Sequence, residues 1–382
     1  MRTCALIAVV FAVVLVSGCS IFSADDEIKP TKLELIDQQL EPTLIWTAKA
    51  ASSNNNYWAN LQMAVSDKSL FIADHSGSVV ALDIKDGRKH WSVELDLPVS
   101  GGVGYGAQKL VLGTIEGQVY ALSARDGSVI WSSIVSSEVI SSPSVSEDIV
   151  VAQSIDNRLY AFDANTGKEL WQHDAGAPIL SVRGNSSSII LNNRVIAAFD
   201  NGKLVAFNAQ NGALLWEARL ALPKGRTELE RMIDVDGQPI IVGDIIYSVS
   251  YQGRIGAFTR GTGKNLWFQD SSSHYSPAYS EGKLFVTEAK NNLVRGFKSG
   301  NGQEVWKNDQ LQYRGLTGPA VFSGSLVVAD AEGYLHILDT DTGVFVGRVN
   351  IGGNGVSAPL LVAGDTLLVQ ANNGLVSAFK IQ

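Results

Sequence analysis

The sequence predicts an all-β chain folded as an eight-bladed β-propeller, with four antiparallel strands per blade and the ring closed by an N-terminal strand that completes the last blade. Three observations predict it. One stretch of sequence recurs along the chain, its turn residues return at intervals near 40, and the last copy is cut short while its missing piece stands near the N-terminus.

The recurring stretch is clearest at 154–171, SIDNRLYAFDANTGKELW. It has a turn at Asn157, a short apolar run from Leu159 to Phe162, a second turn with Gly167, and a Trp. Copies stand at 74–91, 114–131, 199–216 and 250–267, with looser ones at 289–306 and 330–347. Each apolar run is about six residues long and bounded by turn residues, the length of a strand and too short for a helix. With the apolar stretches before and after it, as at 140–145, 149–152 and 169–172, each unit holds four short strands.

The first turn falls at Gly77, Gly117, Asn157, Gly202, Gly253, Asn292, Gly333 and Gly374, spaced by 40, 40, 45, 51, 39, 41 and 41 residues. Glycine, and asparagine where glycine is missing, are the residues that tolerate positive φ, so hairpin turns are expected at all eight. The second turn has glycine at 87, 127, 167, 212, 263, 302 and 343. Eight units with a period near 40 are propeller-like. Trp91, Trp131, Trp171, Trp216, Trp267 and Trp306 fill one slot, Gly347 breaks the series, and the eighth unit stops at Gln382 before its last strand. Thr43–Thr47, with Trp46, supplies that strand. A solenoid or two separate β-domains would have no reason to borrow a strand from the far end of the chain.

Ahead of the repeats, Arg2 and the apolar run from Ala5 to Val16 read as a targeting segment, and Val16-Ser17-Gly18-Cys19 resembles a bacterial lipoprotein signal box. The expected division is 1–18 signal peptide, 19–42 flexible tether lipidated at Cys19, and 43–382 a single propeller domain. Asp25, Asp26, Glu27, Pro30 and Pro42 suit a tether. Ser20 after the Cys points, by analogy with Gram-negative sorting rules, to an outer-membrane lipid anchor facing the periplasm. Cys4 and Cys19 are the only cysteines, so once the signal is removed no internal disulfide is available and packing must hold the fold.

Composition and motifs narrow the function. A net charge of −8 argues against nucleic acid as a partner, because displacing counterions needs a basic stripe. His75 and His90 share one unit while His173, His274 and His336 fall in three others, none with metal-ligand spacing, and no nucleophile elbow, phosphate loop or HExxH is present. No catalytic, cofactor-binding or metal residue is therefore named, and no cofactor is expected. Each Trp is read as packing between blades.

The pattern Ala-x-Asp-x-x-Thr-Gly-Lys-x-x-Trp, at Ala161–Trp171, resembles the tryptophan-docking motif of quinoprotein alcohol dehydrogenases, which are eight-bladed propellers. That resemblance covers roughly 43–382. It implies the fold and leaves a quinone-dependent dehydrogenase as an alternative function, but that family's vicinal cysteine pair has no counterpart beyond Cys19. The signal box, the acidic tether and eight such repeats together resemble the lipoprotein subunits of the outer-membrane β-barrel assembly machinery. This second resemblance implies a non-enzymatic periplasmic scaffold that binds BamA through its POTRA domains, and through it the rest of the Bam complex. It further implies help to the folding and insertion of outer-membrane proteins, with unfolded clients as a second class of partner that could add to a strand edge. Another envelope interaction lipoprotein is the third reading.

The long intervals of 45 and 51 place insertions at 175–188 and 217–238. In a four-stranded antiparallel blade the last-to-first connection shares a face with the second-to-third turn, so both insertions are expected on one face, on adjacent blades. Long loops on a rigid scaffold commonly carry function. The resemblance implies that the partner segments are Pro178–Gly184 and Asp234–Pro239, with Leu180, Val182, Arg183, Asp234 and Asp236 as binding residues. Val182 departs from the larger Leu of that pattern. Leu180 and Val182 are read as apolar anchors. Arg183 is read as a charged hydrogen-bond donor to the partner or to the Asp pair.

Overall fold

The structure, a computed structural model, describes residues 29–52, 61–176, 186–222 and 226–381. The described residues form eight four-stranded antiparallel sheets. Blade 1 holds strands 64–65, 69–73, 78–83 and 89–94 in sequence order across the sheet. Blades 2 to 7 repeat the plan over 99–134, 144–174, 189–219, 240–270, 278–308 and 320–350. The first strands of neighbouring blades lie against one another, so they line the centre and the fourth strands form the rim. Blade 8 takes 361–363, 366–370 and 375–381 from the C-terminus and Pro42–Lys49 as its rim strand, with Pro42 opposite Ile381 and Lys49 opposite Leu375. The expected closure is thus present.

The burial pattern follows from blades stacking face to face. Middle strands are covered on both sides and are mostly apolar, as in Ile149–Ser154, whose residues are all buried, the polar Gln153 and Ser154 included. Rim strands are covered far less and mix exposed with buried positions, as in Glu169–Asp174. Apolar clusters form between blades: Trp171 of blade 3 packs with Phe199 and Phe207 of blade 4, and Trp46 and Leu368 of blade 8 pack with Leu70 and Ile72 of blade 1. Every blade-to-blade junction has such a cluster. A ring sealed by apolar contact at each junction needs no covalent clasp.

The tryptophans dock as the repeat suggests. The indole N–H of Trp46, Trp91, Trp131, Trp171, Trp216, Trp267 and Trp306 each donates to a backbone carbonyl in the second turn of the next blade, at 2.9–3.2 Å. The turn glycine lies beneath the ring. At Gly212, φ is +69° and a Cβ would stand 2.7 Å from Cδ2 of Trp171, so glycine answers both the backbone and the close approach.

Gly347 now has a reason. A Trp there would need the turn between the third and rim strands of blade 8, and at that place the chain runs out at the end of 375–381 and begins the rim strand at Pro42. The slot is crossed instead by the backbone of Leu40, whose carbonyl a Cβ on Gly347 would strike.

Two expectations are corrected. Positive φ was expected at Gly253, but Gln252 adopts it, at +47°, and Gly253 does not. Glycine at 253 relieves crowding against Ser250 Oγ and Ala221 Cβ. The stretch expected as a flexible tether up to residue 42 is, over 31–40, laid against blades 6 and 7, and Pro42 is already in the rim strand.

Candidate partner-binding face

The second-to-third turns and the blade-to-blade connections share one face, which we call the connection face. They are hydrogen-bonded to one another there: Val139 N–H donates to the Thr114 carbonyl at 3.1 Å, Tyr251 N–H to Asp234 at 2.7 Å and Ala331 N–H to Arg314 at 3.0 Å. The other face, the turn face, carries the first-to-second and third-to-fourth turns. Both insertions are connections, from blade 3 to 4 and from blade 4 to 5, so their described ends lie on the connection face of adjacent blades, as parity requires. Leu180, Val182 and Arg183 fall within 177–185, and Cys19 within 1–28, outside the described residues.

The second insertion is built from the residues upward. Leu220 and Ala221 are buried, while Leu222 is 47% exposed. One helical turn follows, Glu228–Arg231. Thr227 caps it: its hydroxyl accepts from Glu230 N–H at 3.2 Å, and the Glu230 carboxylate accepts from Thr227 N–H at 3.3 Å and from Arg226 N–H at 2.6 Å. Leu229 on this turn is 67% exposed. The chain then dives inward. Ile233, Asp234 and Val235 are buried, and Val235 joins the core between blades 4 and 5.

The two acids differ from a simple surface pair. Asp234 is fully buried, so its side chain faces inward, and its carbonyl fixes the Tyr251 turn. Asp236 is half-buried, and its Oδ1 has no hydrogen-bond partner among the described residues. Burial pushes its carboxyl well above the usual carboxylate range, and the negative charge of Asp234 pushes it further. Beyond them the insertions are joined. Ser186 Oγ donates to the Gly237 carbonyl at 3.3 Å, and Gln238 Nε2 donates to the Ser188 carbonyl at 3.1 Å. The structure therefore brings the Asp234–Asp236 segment to the foot of the first insertion and holds it there. It also exposes Leu222 and Leu229, which the sequence reading passed over; the Thr-x-x-Glu signature at 227–230 was the available signal for the helical turn.

The dehydrogenase alternative can be tested on the donor set. The innermost strands of the eight blades contain no charged residue. The channel wall on blades 1 to 4 is lined by Gln62, Tyr105, Ser142, Ser144 and Ser188 among small apolar residues. Among the described residues no three His, Cys, Asp or Glu side chains gather as metal ligands. A polyanionic quinone and its cation would find neither cationic nor carboxylate partners on this wall, so the residues do not fit that group.

Comparison with known proteins decides the family. A family model described as "Outer membrane protein assembly factor BamB" matches residues 36–99, 75–308 and 290–382.

The chain belongs to the BamB family.

A relative from Pseudomonas aeruginosa, "Outer membrane protein assembly factor BamB", is 45% identical over 378 residues, covering 99% of this chain and 98% of that protein. The crystal structure of BamB from Moraxella catarrhalis superposes with a TM-score of 0.81 at 27% identity, over 89% of this chain and 100% of that one. A europium-containing methanol dehydrogenase superposes with a TM-score of 0.71 at 13% identity, over 89% and 93% of the two chains, a likeness of fold alone.

Proposed function

We propose that this chain is an outer membrane protein assembly factor that works as a scaffold. It docks BamA, through that protein's POTRA domains, on the connection face of blades 3 to 5, and joins the rest of the Bam complex through it. One observation carries the reading most directly. The two insertions that interrupt an otherwise regular repeat are adjacent and stitched together by the Ser186–Gly237 and Gln238–Ser188 hydrogen bonds. The described ends of the two insertions are thus held side by side on a rigid ring before a partner arrives. Exposed Leu222 and Leu229 offer apolar contact, and exposed Arg226 and Glu230 lie at their margin. In this reading Leu180 and Val182 anchor the first loop in the partner, Arg183 donates charged hydrogen bonds, and Asp234 and Asp236 hold the loop pair in shape from beneath. Residues 1–18 are a signal peptide, and Cys19 carries lipid in the outer membrane with the propeller facing the periplasm.

Capture of BamA POTRA domains tests the face. Leu222→Asp, Leu229→Asp and Arg183→Glu, each with an unchanged melting midpoint, are expected to weaken capture at least tenfold. Undiminished capture by all three folded variants removes the proposed face. Mass spectrometry of the envelope-extracted protein tests the anchor: an N-terminal diacylglyceryl-cysteine at 19 is expected, and an unmodified N-terminus would sink it.

A further inference from the structure

Blade 7 holds the exception in the Trp series, and the chain's own N-terminal segment covers it. Residues 31–40 run antiparallel to the blade 7 rim strand, Phe345–Asn350. At the turn-face end, the N–H groups of Gln39 and Leu40 both donate to the carbonyl of Val346, 2.8 Å each. Val346 is the bulged residue of that strand, left out of register with its neighbour. Midway, Gln38 Nε2 donates to the Arg348 carbonyl at 3.2 Å, and Arg348 N–H donates back to Gln38 Oε1 at 3.1 Å. Arg348 Nη1 donates to the Glu34 carbonyl at 2.7 Å. At the connection-face end, Arg314 Nη1 donates to the Thr31 carbonyl at 2.9 Å, and Thr31 N–H to Gln312 at 3.0 Å. Leu33 and Ile36 pack on the core between blades 6 and 7, and Leu40 on that between blades 7 and 8.

The two arginines are themselves held from below. Buried Arg314 donates through Nε to Asp330 Oδ2 at 2.7 Å and through Nη2 to Glu332. The same Asp330 oxygen receives His336 Nε2 at 2.9 Å, and His336 Nδ1 accepts from Arg348 Nε at 3.1 Å. One buried carboxylate thus orients both guanidinium groups, whose remaining donors point at the carbonyls of 31 and 34. A planar fork fixed in this way reads backbone position; it is not a free surface charge.

We infer that residues 31–40 are a docked strap that delivers the N-terminal arm to the connection face, the face bearing both insertions, at the rim of blades 6 and 7. A geometric consequence rests on the proposed lipidation and partner face. The twelve residue-to-residue steps from Cys19 to Thr31 span at most about 40 Å when extended. The propeller is then tethered by the face that binds its partner, and that face works within about this distance of the bilayer.

The strap is tested on the full chain bearing Cys19→Ser, without partner or membrane, so its failure is separate from that of the proposed function. Amide exchange at Thr31, Gln39 and Leu40 is expected to be at least tenfold slower than in an unstructured peptide. Leu33→Ser with Ile36→Ser, outside the ring, is expected to remove that protection and leave the blade 3 strands protected. Spin labels at Lys32 and Asp309, on the connection face, are expected to show a narrow distance distribution, shorter than from Lys32 to Asn301 on the turn face. Unprotected amides, or a broad Lys32 distribution without preference for Asp309, would overturn the inference.

Discussion

Trp171 and Gly212 show how one repeat grips the next. The indole gives its N–H to the Ala209 carbonyl at 2.9 Å, and its ring lies on the glycine. Trp171→Ala is expected to cost about 3–5 kcal/mol, the range for a large buried aromatic, read as a shift in denaturant midpoint. An unshifted midpoint would mean the ring is not part of the junction. His336 gives a pH-dependent test. Burial is the main cause holding its pKa below the ordinary histidine value; Asp330 acts against this, while Arg348 and Arg314 reinforce it. Tyr334 and Phe345 pack on the same ring. The folded state therefore holds the neutral imidazole, with Nδ1 accepting from Arg348. Because the folded pKa is depressed, the unfolded chain takes up the proton first as pH falls. Stability is full above about 6.5, the unfolded value, and is lost as pH drops toward the folded value. His173 and His274 are shifted the same way. The share of His336 is thus read from the difference between wild type and His336→Gln. The melting midpoint of wild type is expected to fall more steeply from pH 7.5 to pH 5 than that of the variant; parallel curves would remove His336 from the account. None of this network was legible in the sequence. Asp330, His336 and Arg348 meet only because neighbouring strands pair, whereas the Trp slots were legible because each recurs at a fixed offset from its turn.

Rim strands share a device the sequence hides. In every blade the register slips by one residue just before the Trp slot, bulging out Ile45, His90, Ile130, Leu170, Leu215, Leu266, Val305 and Val346. A bulge twists an edge and discourages another strand from adding to it. None of the eight rim strands therefore offers an unbroken template along its whole length. Client strands that add by main-chain hydrogen bonding would be confined to the part beyond the bulge. The insertion between blades 4 and 5 follows a different logic. Its position was legible from the 51-residue interval, but its burial was not, because Asp-Val-Asp reads as a polar turn until Val235 is seen in the core. The raised pKa of Asp236 makes the sign of a test clear. A carboxyl whose folded pKa lies above 3.8 costs the folded state stability as pH rises through that interval, and the cost persists above the folded value. Asp236→Asn is expected to raise the melting midpoint at neutral pH, with the gain shrinking as pH falls toward 4. If the gain is the same at both ends of the range, the carboxyl is not strained by burial. A stabilised variant that captures BamA less well would identify the acid as kept for binding rather than for the fold.

Closure of the ring is the property of the whole molecule that the truncated last repeat announced, and it also explains Gly347. The seven turn-and-Trp pairs need seven third-to-fourth turns, and the only blade without one is the blade assembled from both ends of the chain. A rearranged chain can supply the missing turn. Joining Phe379 to Leu44 through Asp-Ala-Asn-Thr-Gly-Lys, the residues of 163–168, preserves the register in which Leu44 faces Phe379, as Glu169 faces Phe162. The join omits residues 1–43 and 380–382, and with them the strap and the arm, and new termini are placed between residues 60 and 61. This permutant is expected to keep eight blades and unfold in one transition, since the junction of blades 8 and 1 is apolar and complete without residues 1–43. In the native chain Gly347→Trp has no turn to dock on and collides with Leu40, so a loss of about 1–3 kcal/mol is expected, as for other overpacked sites. In the permutant the same substitution meets a glycine and a carbonyl in the arrangement that serves the other seven rings. The two changes should therefore couple, by about 0.5–3 kcal/mol in favour of the pair, in a double-mutant cycle of denaturant midpoints. Equal effects of Gly347→Trp in both backgrounds would show that the absent turn is not what holds glycine at that position.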